Sequence, residues 1–96
     1  MEEKYQQMAK VLKALSDPKR LRIAGMLSQQ ELGASRILES FSISQPTLSH
    51  DMHVLLDTGL VTEQRFGKNV IYRLERSEVN AFLEALEQLL CAGQEA

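Results

Sequence analysis

The sequence predicts a mainly α-helical fold with one small β-hairpin, in the order α-α-α-α-β-β-α. Three observations predict it. Apolar residues recur at three-to-four spacing from Tyr5 to Leu56, the period of an amphipathic helix. The period drops to two between Leu60 and Leu74, where "LVTEQRFGKNVIYRL" holds two β-prone runs around "FGKN". Helical spacing then returns from Val79 to Leu90.

Each element carries its own signal. Tyr5, Met8, Leu12 and Leu15 mark the first helix. "SDPKR" restarts the chain, because Asp17 is a good N-cap and Pro18 suits a first helical position. Leu21, Ile23, Ala24 and Leu27 are the apolar side of the second helix, which "QELGAS" breaks. Ser35 is the expected cap of a short third helix over Arg36 to Phe41, and "SIS" makes a tight turn. Ser44 caps the fourth helix, Pro46 lies in its first turn, and Gly59 ends it as a left-handed C-terminal glycine. Leu48, Met52, Leu55 and Leu56 share one side of that helix. Val70, Tyr72 and Leu74 alternate in the hairpin. Val79, Phe82, Leu83, Leu86, Leu89 and Leu90 mark a long closing helix, expected to be capped by Ser77. Met8, Met26 and Met52 fall on apolar stripes and are expected in the core.

The 96 residues suit one domain with one core, and the 44% apolar content is that of a globular chain. No apolar run approaches the roughly 18 residues that span a bilayer. The acidic, polar start "MEEKYQQMAK" does not read as a signal peptide. The single cysteine, Cys91, permits no intrachain disulfide, so a cytoplasmic setting without membrane partners is expected. Near the end of a helix, with nothing basic beside it, Cys91 reads as inert.

The net charge of −2 hides an uneven distribution. From Ser77 to Ala96 there are acids (Glu78, Glu84, Glu87, Glu95) and no base, whereas Leu60 to Arg76 carries Arg65, Lys68, Arg73 and Arg76 against Glu63 and Glu75. Lys19, Arg20 and Arg22 form a second basic cluster. A local basic face can hold phosphates while an acidic remainder keeps the chain near neutral.

Two short helices joined by a tight turn and followed by a basic hairpin form a winged helix-turn-helix. The second helix of such a pair fits the major groove of double-stranded DNA, and the hairpin acts as a wing over the adjacent backbone. At about 100° per residue, Pro46, His50, His53 and Asp57 lie opposite Leu48, Met52 and Leu55, with Thr47 and Ser49 beside them. Gln45 could pair bidentately with adenine, and Ser44 with the free N–H groups of the first turn could hold a phosphate. Arg65, Lys68 and Arg73 would act from the wing, and Arg20 and Arg22 either hold the DNA backbone or pair within the protein. Two histidines on that face would favour a polyanion as they gain charge.

Three stretches in order resemble the ArsR/SmtB family of winged helix-turn-helix transcriptional repressors: "ALSDPKRLRIAGML", "ISQPTLSHDMHVLLDTGLV" and "RFGKNVIYRL", roughly Leu12 to Leu74. The resemblance implies a homodimer joined through the first and last helices, here residues 1–15 and 77–92, with a helix-turn-helix over 35–58 and a wing over 61–74. Tyr5, Met8, Leu12, Leu15, Phe82, Leu86 and Leu90 would then bury the dimer interface. It also implies repression relieved by a signal, usually a metal ion. The usual ligands are missing, however. Gly33 and Ser35 stand where the family places a Cys-x-Cys pair, and Arg76, Glu78, Leu89 and Ala92 stand at the family's second site. Asp51 replaces a common histidine and is expected to pair internally. His53 replaces a common lysine, and Ser42 a common glycine whose positive φ would cost a serine a little.

No cofactor and no bound metal are expected, and the effector is left unspecified. His50 and His53 share a helix face, but two ligands fall short of the four a zinc site takes, and Asp51 points about 100° away from His50. Ser49, His50 and Asp51 have the letters of a catalytic triad but diverge around the helix, so no enzyme is expected. A winged-helix module that binds another protein, or a metal sensor with a different site, are the remaining alternatives.

Overall fold

Helix α1 (Glu2–Leu15) opens with Glu2 and Glu3 and closes with Lys13, charges that complement the helix dipole at each end. The computed structural model describes residues 2–92, so Glu95 of the acidic C-terminal stretch lies outside the described residues. The apolar stripe of α1 divides. Met8, Val11 and Ala14 turn inward and are buried, while Tyr5 and Leu12 stay 45% exposed beside them.

Asp17 starts α2 (Pro18–Leu27) as expected: its carboxylate accepts the backbone N–H of Arg20 at 3.1 Å, with Pro18 in the first turn. That backbone N–H, aided by the nearby charges of Arg20 and Lys19, outweighs desolvation and holds the Asp17 carboxyl below the usual aspartate value. Ile23 and Leu27 anchor α2 in the core, while Met26 is half-buried.

The segment expected only to break the second helix contains a short strand, β1 (Leu32–Gly33), which pairs antiparallel with the hairpin through Leu32 opposite Tyr72 and Gly33 opposite Ile71. The pairing shifts the third helix as well. Helix α3 spans Ala34–Glu39 rather than Arg36 to Phe41, and Gly33, with no side-chain bond, occupies the cap position expected of Ser35. Because the strand ends at Gly33, the helix starts on the next residue.

Helix α4 (Gln45–Asp57) runs between its expected stops. Ser44 Oγ accepts the Thr47 backbone N–H at 3.3 Å, and Gly59 follows with φ 81°. Among the described residues no non-glycine has positive φ, so Ser42 bears no strain. Thr58 closes α4: its buried hydroxyl donates to the Leu55 carbonyl at 2.6 Å and accepts the Leu60 N–H at 3.1 Å.

The hairpin is β2 (Val61–Phe66) and β3 (Asn69–Leu74), in register from Val61 opposite Leu74 to Phe66 opposite Asn69. Its two-residue turn is Gly67-Lys68, and Gly67 takes φ 63°, which a glycine-first hairpin turn requires. Sheet order is β1-β3-β2. Val61 and Tyr72 join Val11, Ile23, Ile37, Leu48, Met52 and Leu55 in the core.

Helix α5 (Arg76–Cys91) starts after Glu75 rather than Ser77, and no side chain caps it. Val79 and Phe82 pack against the core, but none of its residues is fully buried, and Leu83, Leu89 and Leu90 stay 53%, 43% and 69% exposed. The radius of gyration, 14.9 Å, exceeds the roughly 12.5 Å of a compact chain of this length. A single copy is therefore elongated, 53 Å along its long axis, with apolar surface uncovered on α5.

The lowered Asp17 value fixes a pH dependence. Its folded-state value lies below the unfolded one, so the stabilisation is complete at neutral pH and is lost as pH falls through the lowered value. Asp17→Asn keeps a cap but cannot titrate. Its stability in urea melts should fall less steeply than that of the wild type below about pH 4.

Candidate nucleic-acid interface

The core sets which side of α4 faces out. Leu48, Met52 and Leu55 are 3% exposed or less, so Gln45, Pro46, Thr47, Ser49, His50, His53 and Asp57 are all turned to solvent. That outer side is short and hydrogen-bonding. Two of its groups are already engaged: the Ser44 and Thr47 hydroxyls share a hydrogen bond of 3.0 Å. Asp57 pairs with Lys10 of α1 at 3.0 Å, which offsets a carboxylate at the far end of the face.

Asp51, beside His50 in sequence, turns the other way. It is 3% exposed, with Lys19 Nζ 2.8 Å from Oδ2 and Arg20 Nη1 donating to Oδ1 at 3.2 Å. The lysine contact is ionic without the direction of a hydrogen bond. Arg20 is thus committed within the protein, and Arg22 stacks over the Phe41 ring, 4.9 Å from its centroid. Among the described residues no three of His, Cys, Asp and Glu converge on one point.

The wing separates its cations. Lys68 sits in the turn and has no ion-pair partner among the described residues. Arg65 Nε lies 3.3 Å from Glu63 Oε1 on the same strand. Arg73 Nε lies 3.0 Å from Glu75 Oε1, which also accepts from Thr62 at 3.0 Å. The Thr62 hydroxyl and the Arg73 guanidinium hold the Glu75 carboxyl below the usual range. Arg73 is five residues from Lys68 along β3, roughly 16 Å in extended chain, and belongs to the wing's base. Lys68 lines the same open recess as Gln45, with Phe66 and Asn69, between the heads of α3 and α4 and the wing tip. Arg73 lines a different depression, with Glu31, Thr62 and Gln64. Gln45 and Lys68 are therefore brought together, and Arg73 is not.

Of the residues expected at a dimer interface, Tyr5, Leu12 and Leu90 are exposed, and Leu15, Phe82 and Leu86 are half-covered. Met8 is buried within the single chain at 6% exposure.

A family model described as a helix-turn-helix domain matches residues 15–64, from the end of α1 into the wing. The chain is 44% identical over 86 residues to the arsenical resistance operon repressor of Staphylococcus xylosus, covering 90% of this chain and 79% of that protein. The solved structure of an ArsR-like transcriptional regulator from Rhodococcus sp. RHA1 superposes with a TM-score of 0.84 at 26% identity, over 96% of this chain and 87% of that one. The chain belongs to the ArsR family of winged helix-turn-helix transcriptional regulators. Another solved structure, a homodimeric winged helix-turn-helix DNA-binding domain from Mycobacterium bovis, matches with a TM-score of 0.76 at 29% identity, over 97% of this chain and 85% of that one. No described helix is long and apolar enough to cross a membrane.

Two features near this candidate interface escape a sequence reading. Phe66 is 56% exposed at the wing tip, where the alternation of β2 gives no hint of its position beside the head of α4. Arg76 donates to the Ser28 carbonyl at 2.8 Å, tying the start of α5 to the end of α2 across 48 residues of sequence. The Ser44 cap is the local support of α4. Ser44→Ala removes it and should lower the unfolding free energy by about 1 kcal/mol in denaturant melts.

Proposed function

We propose that the chain is a transcriptional repressor that binds double-stranded DNA as a homodimer. Two copies of α4 enter successive major grooves of an imperfect palindrome with half-sites about one helical turn apart. The observation that carries this reading is that Gln45, at the head of α4, and Lys68, at the wing tip, line one recess. A helix lying in the groove with a cation beside it leaves room for one strand's backbone between them. Gln45, Ser49, His50 and His53 face base edges. Ser44, Thr47 and Lys68 meet phosphates, and Arg65 joins them by exchanging its exposed Glu63 partner, a pair of little intrinsic strength. Arg73 acts at the base of the wing, where Glu75 competes for it.

The homodimer reading is supported by the uncovered leucines of α5, by exposed Tyr5 and Leu12 on α1, and by the homodimeric relative. Such a protein works in the cytoplasm, where the DNA is.

The direct test is footprinting on DNA upstream of its own gene, together with a reporter from the same promoter. Protection of a palindromic site, with reporter output rising when the gene is deleted, is expected; output falling on deletion would overturn repression. Two variants divide the contacts. Lys68→Ala should weaken binding to all duplexes alike and flatten the slope of log affinity against log salt by about 1. Gln45→Ala should leave that slope unchanged and relax preference at one base pair, by about 1–3 kcal/mol. Leu83→Glu places a charge on the uncovered side of α5 without touching the core. It should shift the protein from dimer to monomer in analytical ultracentrifugation.

A further inference from the structure

Among the described residues, Asp51 is the only charged side chain that is buried, and it lies in the middle of α4. Its surroundings are built around it. Arg20 Nη1 donates to Oδ1 at 3.2 Å, and Arg20 Nε donates to the Ala14 carbonyl in the last turn of α1 at 2.8 Å. The backbone N–H of Arg20 is itself held by Asp17 at 3.1 Å. Lys19 Nζ closes the other side of the carboxylate at 2.8 Å. One guanidinium thus joins the end of α1, the start of α2 and the middle of α4.

Stability alone is a poor reason for this cluster, because a well-packed apolar residue usually serves at least as well as a buried ion pair. Direction is a better one. Leu48, Met52 and Leu55 hold α4 down through apolar contact, which is non-directional and tolerates small rotations. The groups facing DNA lie about 5–6 Å from the helix axis, so a rotation of about 20° carries them about 2 Å, beyond the tolerance of a hydrogen bond. A carboxylate fixed by two cations, one of them held to Ala14 and Asp17, resists that rotation.

We propose that Asp51 is a positioning residue: clamped by Lys19 and Arg20, it sets the rotation of α4 about its own axis and so the register in which the helix meets base edges. The proposal rests on the reading that α4 reads DNA. It also gives Lys19 and Arg20 a role other than phosphate contact, since both are paired with the same carboxylate.

Loss of the clamp and general weakening of the protein have different signatures. A partly unfolded protein loses affinity for every duplex by one factor. A freely rotating α4 loses base contacts only, while the cations released from Asp51 favour any phosphate backbone. The test compares the wild type, Asp51→Asn and Arg20→Lys on two duplexes: one selected by the wild type from a random pool, and the same base composition shuffled. Arg20→Lys keeps the charge, but a single ammonium cannot span the Ala14 carbonyl and Asp51 together. In both variants the ratio of selected to shuffled affinity should fall about tenfold or more, the cost of one lost base contact, with shuffled-duplex affinity unchanged or tighter. A ratio within about twofold of wild type, including equal losses on both duplexes, overturns the proposal, since a lost base contact costs more than that. Should Asp51→Asn lack the helical circular dichroism of the folded protein, Arg20→Lys decides the matter. A wild type that does not distinguish the two duplexes removes DNA reading by α4 itself, and the positioning role with it.

Discussion

Burial of one side of α4 is the constraint on which the rest of the structure depends. Leu48, Met52 and Leu55 share one core with Val11 of α1, Ile23 of α2, Ile37 of α3 and Val61 of the hairpin. Once that side is fixed, the opposite side must face solvent, and every group named on it except Pro46 is polar or an imidazole. A helix buried all round could not read a groove, and one polar all round would not stay folded. The hairpin is placed by the same packing, because Val61 and Tyr72 enter the core from its base while its tip stays free beside the head of α4.

Charge is distributed with similar economy in a chain whose net charge is −2. Acids stand next to most of the basic groups that a count along the chain would assign to phosphate. Asp51 takes Lys19 and Arg20, Glu63 takes Arg65, and Glu75 takes Arg73. The exposed pairs are weak and can be exchanged for a phosphate, whereas the Asp51 cluster is sheltered from solvent and screened far less. Affinity for a polyanion therefore depends on which pairs open, not on the number of bases present.

The elongated single chain carries its own argument about assembly. Helix α5 lies against the core through Val79 and Phe82, yet leaves Leu83, Leu89 and Leu90 in solvent, while α1 does the same with Tyr5 and Leu12. Apolar residues on two helices near one another make a surface that a second copy would cover. The Arg76 link to Ser28 and the Arg20 link to Ala14 attach α5 to the end of α2 and α1 to its start.

The sequence by itself determined the elements whose ends are satisfied locally. Asp17, Ser44 and Gly59 stop and start helices through backbone groups within a few residues, and Gly67 turns the hairpin in the same way. The switch of apolar period located the wing, and three motifs in order were enough to point to the family. Only the tertiary structure decided what depends on distant partners. Strand β1 exists because β3 lies beside it, and two residues carry no period of their own. The apolar stripe of α1 was legible, but its division into buried Met8 and exposed Tyr5 and Leu12 depends on the angle at which α1 meets its neighbours. Lys68 and Arg73 look alike along the chain, yet strand length puts one at the wing tip and the other at its base. Short-range hydrogen bonds are written in neighbouring residues, whereas the partners of Arg20, Asp51 and Arg76 are set by where the chain passes after it has packed.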